Sequence, residues 1–354
     1  MLLSRREVLF TLTAPLLPAP DGLRKDPRNP LFGEDRPWEV RFDNLYPNVL
    51  LDPERRRYRC WYSPFLIDPS ASSTPRALRA TVAYQPHDRE MGVCYAESAD
   101  GIRWEKPDLG LVEFQGSRRN NLVSRGPHGA GVFRDAHERD PRRRYKMIYA
   151  REGVGLATSV SPDGLHWGEE TVHSEIQAVG DTHNNALWVP ERNAYVAITR
   201  LWDKRARQRL VARTESPDFR HWTKAVEILR AEPGAPHRQT YAMTIFRYRG
   251  VYLGLLMILD TRTDTVACEL TRSADTVTWE RVRAGAPLLP LGPAGACDAG
   301  CIYAAAAPVA RRDGIRFYYG ASNAPHGGWR DGFLCLAHLT RADLERFLNN
   351  DNTV

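Results

Sequence analysis

The stretch Ser98-Ala99-Asp100-Gly101-Ile102-Arg103-Trp104 decides the fold of this chain, because three related stretches follow it. The later copies are Ser161-Pro162-Asp163-Gly164-Leu165-His166-Trp167, Ser216-Pro217-Asp218-Phe219-Arg220-His221-Trp222 and Ser273-Ala274-Asp275-Thr276-Val277-Thr278-Trp279. Their first serines lie 63, 55 and 57 residues apart, which is too long for helical repeats and suits a four-stranded propeller blade.

Each copy is predicted to form the turn of a hairpin between two outer strands of a blade. Serine and aspartate side chains can bond backbone amides within a turn, and the glycine of the first two copies tolerates a positive φ. The final tryptophan is expected to begin the next strand and to bury its ring between neighbouring sheets. We therefore interpret the four repeated aspartates, Asp100, Asp163, Asp218 and Asp275, as structural rather than catalytic.

The repeats predict an all-β, single-domain fold, a five-bladed β-propeller. Each unit has an apolar strand, a charged turn, an aromatic strand and a hairpin, and a fifth unit without the Ser-x-Asp phrase begins at Ile302. Closing the sheets into a ring removes exposed strand edges. The propeller is assigned to residues 28–339. The remaining 340–354 form a short C-terminal tail with a predicted helix over 340–347.

Composition excludes several classes of protein. The chain has 354 residues and a net charge of +6, but its basic residues are scattered and cluster only in turns, so nucleic-acid binding is not expected. The six cysteines have neither zinc-site spacing nor the density of a disulfide framework. A monomer is expected.

Residues 1–22 resemble a twin-arginine export signal. Arg5-Arg6 precede a short apolar segment that is broken by prolines. This segment is too short to span a bilayer, so the mature protein is not expected to enter a membrane. The expected location is therefore periplasmic or extracellular.

The candidate site lies where the chain enters the innermost strand of each blade, because these positions converge on one mouth of a propeller channel. They include three carboxylates, Asp43, Asp181 and Asp298. Crowded carboxylates separate one another's pKa values, so that one can act as an acid and another as a base or nucleophile. This is the equipment needed to cleave a glycosidic bond. Six polar neighbours are candidate substrate contacts: Asn44, His128, His183, Asn184, Arg238 and Tyr241.

Several motifs resemble exported bacterial members of the five-bladed propeller glycoside hydrolases, the superfamily of families 32, 43 and 68. The motifs include Trp104-Glu105-Lys106-Pro107-Asp108, Phe42-Asp43-Asn44-Leu45-Tyr46-Pro47, Gly180-Asp181-Thr182-His183-Asn184 and Cys297-Asp298-Ala299-Gly300. The resemblance covers about residues 28–338 and implies a glycan-directed site with Asp43 as the first catalytic candidate. The family's Glu-Cys acid motif and the C-terminal β-sandwich of its invertase-like members are missing.

We therefore expect a glycoside hydrolase that acts on an oligo- or polysaccharide, with Asp43, Asp181 and Asp298 sharing the acid, base or nucleophile, and pKa-tuning roles. No cofactor or metal is expected, beyond at most a structural calcium ion in the channel. Two alternatives stay open. One is a non-catalytic carbohydrate-binding propeller, and the other is a glycoside phosphorylase in which Arg238 and a histidine hold phosphate.

Overall fold

The computed structural model describes residues 22–349, most of which form β-strands. The predicted export signal lies outside this part except for Gly22. Two short strands come first, β1 (Arg24–Lys25) and β2 (Phe32–Gly33). An antiparallel sheet follows with the order β3 (Arg41–Asp52), β4 (Arg57–Ile67), β5 (Glu90–Ser98) and β6 (Leu122–Arg125). The polar insertion between β4 and β5 contains the one-turn helix α1 (Pro69–Ser73).

Two further four-stranded antiparallel sheets repeat this order. The second consists of β7 (His128–Arg134), β8 (Tyr145–Arg151), β9 (Gly155–Ser161) and β10 (Thr171–Val172). The third consists of β11 (Asn185–Val189), β12 (Ala194–Asp203), β13 (Gln208–Ser216) and β14 (Val226–Leu229).

The last two repeats share one ten-stranded sheet. Its first half contains β15 (Arg238–Tyr248), β16 (Val251–Asp260), β17 (Thr265–Ser273) and β18 (Glu280–Arg281). Its second half contains β19 (Cys301–Ala304), β20 (Val309–Arg311), β21 (Gly314–Ser322) and β22 (Gly332–Leu339), to which β1 and β2 add from the N-terminal side. Of the predicted all-β propeller, the predominance of strands is confirmed. Counted by hydrogen bonding, there are four sheets and not five. One parallel pair, Val266 with Cys301, joins the strands of the last two repeats into a single sheet.

The repeated aspartates hold their turns, as predicted. Asp100 Oδ1 accepts the backbone N–H groups of Ile102 and Arg103, both at 2.8 Å, and Ser98 Oγ donates to the same oxygen. Asp163, Asp218 and Asp275 make the corresponding bonds. The structural interpretation of these four residues is confirmed.

The tryptophans that end the phrase differ from expectation in one respect. Trp222 and Trp279 are buried between sheets, whereas Trp104 and Trp167 are half-buried. In the first three repeats the tryptophan also does not begin the next strand. The outermost strands β6, β10 and β14 begin several residues later.

Each repeated turn is also bonded to the adjacent sheet. Arg59 and Trp61 of β4 donate to the carbonyls of Asp163 and Gly164, both at 2.6 Å. Two other turns receive similar bonds at backbone carbonyls, through Arg143 to Asp218 and through Arg316 and Tyr318 to Asp100 and Gly101, whereas the fourth accepts a bond from Arg213 at the Thr276 hydroxyl. The last repeat has no such turn.

A helix takes the place of the missing turn. Helix α2 (Arg341–Asn349) occupies the region predicted to be helical, and it buries Leu344 and Phe347 in the apolar core. Its Glu345 accepts a hydrogen bond from Tyr248 at 3.0 Å and pairs with Arg249 at 2.6 Å, so it contacts the hairpin between β15 and β16. Neither described helix has the length and apolarity that a membrane crossing requires.

The first strands of the repeats are bonded to one another in a closed series. The bonds are Val132 N to Asn48 Oδ1 (2.9 Å), Asn184 N to Gly129 O (2.9 Å), Ile245 N to Asn185 Oδ1 (2.9 Å), Thr244 Oγ1 to Ala305 O (2.9 Å) and Ala306 N to Pro47 O (3.0 Å). Because these strands lie side by side, the residues where they start are brought to the same end of the molecule.

The docked turn yields a stability prediction. Gly164 has a φ of +77°, and a Cβ there would lie 2.6 Å from the Trp61 ring. Gly164→Ala should therefore lower the free energy of unfolding by about 2–4 kcal/mol, through backbone strain and overpacking together. Urea unfolding of the purified protein measures the change.

Gly110→Ala is the matched control. Gly110 has a similar φ of +71° but no atom within 4 Å of the added Cβ, so it should show only the backbone cost of about 1 kcal/mol. Equal losses in the two variants would contradict the docking of this turn on Trp61.

Candidate functional site

Asp181 is the centre of a polar cluster at the end where the first strands start. Its Oδ1 lies 3.2 Å from His128 Nε2, and its Oδ2 lies 3.2 Å from Arg200 Nη1. The Asp181 side chain is 59% exposed, whereas that of Arg200 is only 8% exposed. Arg200 also donates from Nη2 to the carbonyl of Tyr241 at 2.6 Å. The carboxylate is therefore fixed by two groups and still open to a ligand.

The electrostatic surroundings keep Asp181 ionised. Partial burial raises its pKa, but the close approach of the His128 ring and the positive charge of Arg200 outweigh this effect. The pKa of Asp181 is consequently held well below its usual range. At neutral pH this carboxylate can accept a hydrogen bond or stabilise positive charge, but it cannot donate a proton.

Asn44 and Tyr241 complete the cluster. Asn44 Nδ2 donates to the hydroxyls of Tyr46 (2.6 Å) and Tyr241 (2.8 Å), and its Oδ1 accepts from Arg330 at 3.2 Å. The Arg200 guanidinium lies 4.6 Å from the centre of the Tyr241 ring. The structure thus brings together Asn44, His128, Asp181 and Tyr241, four of the nine predicted site residues.

A backbone irregularity in β3 aims Asn44 at the cluster. The pairing of β3 with β4 shifts between Phe42 and Leu45 and again before Asn48, and Leu45 and Tyr46 have φ values of 60° and 44°. Such bulges re-aim side chains at the ends of strands. Asp43 lies in this irregular segment, but its side chain is outside the described part of the structure, so its catalytic role stays a prediction.

His183 and Asn184 lie beneath the mouth, fully buried. His183 Nε2 is 3.2 Å from Asn48 Oδ1, and burial lowers the pKa of its ring to about 3, so the ring is neutral. Asn184 donates to the carbonyls of Gly180 (2.9 Å) and Gly129 (3.1 Å). Both were predicted as substrate contacts. Because protein covers them, their place in this structure is to hold the turn that presents Asp181.

Asp298 is placed in a different group of residues. Its carboxylate is 3% exposed, accepts a hydrogen bond from Tyr319 at 2.9 Å, and pairs with Lys25 of β1 at 2.5 Å. None of these partners contacts Asp181 in the described part of the chain. The loop before β19 turns the carboxylate toward β1 and β21, so the predicted meeting of Asp298 with Asp181 is not found.

Arg238 also points away from the cluster. Its guanidinium lies 2.5 Å from Glu269, a buried carboxylate that pairs with Arg281 as well. Because Glu269 already binds this charge, the structure does not bring Arg238 to the mouth as a phosphate ligand.

Arg200, Arg209 and Trp202 are mouth residues that the sequence reasoning missed. Arg209 lies 5.4 Å from the rings of both Trp202 and Tyr241, and Trp202 is 44% exposed. Burial and the neighbouring Arg200 lower the pKa of Arg209, a sign of concentrated positive charge. Arg200 and Trp202 could have been found from the topology, because the second strand of a repeat runs antiparallel to the first and ends where the first begins.

A cavity of about 650 Å³ opens beside Asp181 and His128. It lies between the first two sheets and the connection from β10 to β11, and Phe65, Met91 and Glu152 are among its lining residues. Its size is in the range of small-ligand sites. Within residues 22–349 no group of three or more histidine, cysteine, aspartate or glutamate side chains is arranged to hold a metal ion.

The fold is similar to those of solved glycoside hydrolases and a glycoside phosphorylase, so the resemblance noted from the sequence is confirmed as a similarity of fold. The β-1,2-mannobiose phosphorylase from Listeria innocua aligns with a TM-score of 0.62 at 13% identity, over 92% of this chain and 99% of that one. An N-acetylgalactosamine deacetylase from F. plautii aligns at 0.60 and 17%, over 94% and 99%.

A thermostable family-43 glycoside hydrolase aligns with a TM-score of 0.56 at 11% identity, over 83% of this chain and 88% of that one. No protein-family model matches the sequence, and the comparison with curated proteins gives no significant match. At these identities the similarity concerns the fold and not a particular reaction.

The lowered pKa of Asp181 yields a prediction about stability and pH. A carboxylate with a lowered pKa stabilises the folded state above its unfolded pKa, and this contribution is lost as the pH falls through the folded pKa. The wild-type protein should therefore melt at a higher temperature than Asp181→Asn at pH 5–7. This difference in melting temperature should become smaller below about pH 4. Thermal unfolding from pH 3 to 7 measures it. A gap that widens in acid would contradict this electrostatic description.

Proposed function

We propose that this chain is a five-bladed propeller enzyme that cleaves glycosidic bonds at the mouth where Asp181 lies. The five-bladed arrangement is supported by the closed series of bonds between first strands and by the two halves of the ten-stranded sheet. The cleavage of carbohydrates is supported by the fold similarity to glycosidases and a phosphorylase, together with a carboxylate exposed in a ligand-sized cavity.

One observation carries the proposal, namely that Asp181 is held ionised by His128 and Arg200 while more than half of its side chain stays exposed. A fixed negative charge stabilises the positive charge that develops at the anomeric carbon during glycoside cleavage. A carboxylate with so low a pKa is a poor proton-transfer group. Proton transfer therefore falls to Asp43, beside Asn44, and to Glu152, which lines the cavity.

Trp202 is proposed as a platform for a sugar ring. Its exposed ring lies above Arg209, on the same face of β12 as Arg200. Apolar faces of pyranose rings pack on aromatic side chains, while the nearby Arg209 suits hydroxyl or acidic groups of the sugar.

The phosphorylase alternative is favoured by the charge at the mouth. Arg200 and Arg209 face one described carboxylate, Asp181, which leaves excess positive charge for a phosphate group.

We also propose, from Arg5-Arg6 alone, that the enzyme is exported. We further propose that it acts as a monomer without a cofactor.

Asp181→Asn tests the catalytic proposal. Purified protein is incubated with oligosaccharides that include β-1,2-mannobiose and the blood group B trisaccharide, with and without phosphate. Reducing sugar released without phosphate indicates hydrolysis, and sugar 1-phosphate indicates phosphorolysis. On a turned-over substrate, Asp181→Asn should lower kcat by about 100-fold or more, because a preorganised charge is lost.

Asp163→Asn is the control, since Asp163 holds a repeated turn and should affect stability rather than turnover. If a glycan binds but no compound of the panel is turned over, the non-catalytic alternative is correct. Unchanged kcat in Asp181→Asn would refute the role given to this residue.

Trp202→Ala tests the sugar platform. It should raise KM about tenfold with little change in kcat, because stacking acts on substrate binding. Trp202→Phe should restore most of the affinity, and Val277→Ala, at another exposed apolar position, should have no effect. A KM unchanged in Trp202→Ala would place the sugar elsewhere.

A further inference from the structure

Cys297 and Cys335 form a thiol pair outside the mouth. Their sulfur atoms are 3.5 Å apart, although 38 residues separate them in the sequence. Cys297 is half-buried, on the loop before β19, and Cys335 is buried in the middle of β22. The other four cysteines, Cys60, Cys94, Cys268 and Cys301, are buried, and their sulfur contacts in the described chain are with backbone carbonyls or side chains other than cysteine.

The surroundings make Cys297 the more reactive of the two. The hydrogen bond with Cys335 lowers the pKa of the Cys297 thiol and raises that of Cys335. Since the thiolate is the nucleophile in disulfide exchange, an accessible cysteine with a lowered pKa reacts first. The other buried thiols lack this combination of exposure and a sulfur neighbour.

We propose that Cys297 and Cys335 are an oxidation site that forms a reversible disulfide with a low-molecular-weight disulfide as the oxidant. The Cys297 thiolate attacks one sulfur of the oxidant, whose S–S bond breaks and releases one thiolate. Cys335 then loses its proton and attacks Cys297 Sγ, which expels the second thiolate. Two protein thiols are oxidised, and one disulfide is reduced to two thiols, which take up the two protons.

The loop that carries Cys297 can supply the necessary movement. A disulfide requires the sulfurs to approach to about 2.05 Å, so Cys297 must shift by roughly 1.5 Å. Gly295, with a φ of +87° and open space around it, lies two residues before Cys297. A glycine in this conformation accommodates a small backbone change at low cost.

The bond would reinforce the contact between the two ends of the described chain. Asp298, next to Cys297, holds Lys25 of β1, and β22 is the strand with which β1 and β2 pair. A disulfide here would tie the Asp298 loop to β22 and so fix both attachments of β1. Because a covalent loop lowers the entropy of the unfolded chain, oxidation should stabilise the protein.

The test uses the folded full chain and oxidised glutathione. Thiols are counted after denaturation, and the expected result is a fall from six to four, a mass loss of about 2 Da, and a peptide linking Cys297 to Cys335. The melting temperature should rise by about 3 °C or more and return to its original value with a reductant.

Two variants sharpen the result. Cys335→Ser should stop at the mixed disulfide of Cys297 with glutathione, and Cys297→Ser should keep all five of its thiols. Cys301→Ser is the matched control, because it should still form the bond. Six thiols left in the oxidised wild type, or a bond between any other pair, would overturn the proposal. None of these outcomes depends on glycoside cleavage.

Discussion

The bond between each repeated turn and the sheet beside it is the interaction on which the structure depends. A Ser-x-Asp turn satisfies its own amides through its aspartate, and this leaves backbone carbonyls pointing outward. Arginine, tryptophan and tyrosine side chains from the adjacent sheet donate to them. Because the donor always belongs to a different sheet, every turn that forms fixes the angle between two sheets. Contacts of this kind at the four turns therefore help to set how neighbouring sheets are oriented.

The mouth is a consequence of that geometry. Asp181, His128 and Asn44 come from the starts of different first strands, and Arg200 comes from the end of a second strand. No local segment of sequence could assemble these groups. The low pKa of Asp181 therefore depends on the assembly of two repeats, since His128 belongs to the preceding sheet and Arg200 to the sheet whose first strand follows Asp181.

Much of this arrangement could be predicted from the sequence. The repeated phrase predicted four hairpin turns and the structural role of their aspartates, and the strand starts predicted that Asn44, His128, Asp181 and Tyr241 would meet. The failures have a common physical origin. Proximity to a strand start does not determine the direction of a side chain, and a buried counter-charge redirects it, as Lys25 does for Asp298 and Glu269 for Arg238. Arg200 and Trp202 were missed because only first strands were considered.

The pairing of β1 and β2 with β22 has a consequence for the order in which the sheet can assemble. β1 and β2 are made first, but their partner β22 is among the last strands to leave the ribosome. Strands β1 and β2 therefore lack this partner until residues 332–339 have been made. A chain that stops short of β22 would therefore leave β1 and β2 with no edge to pair with.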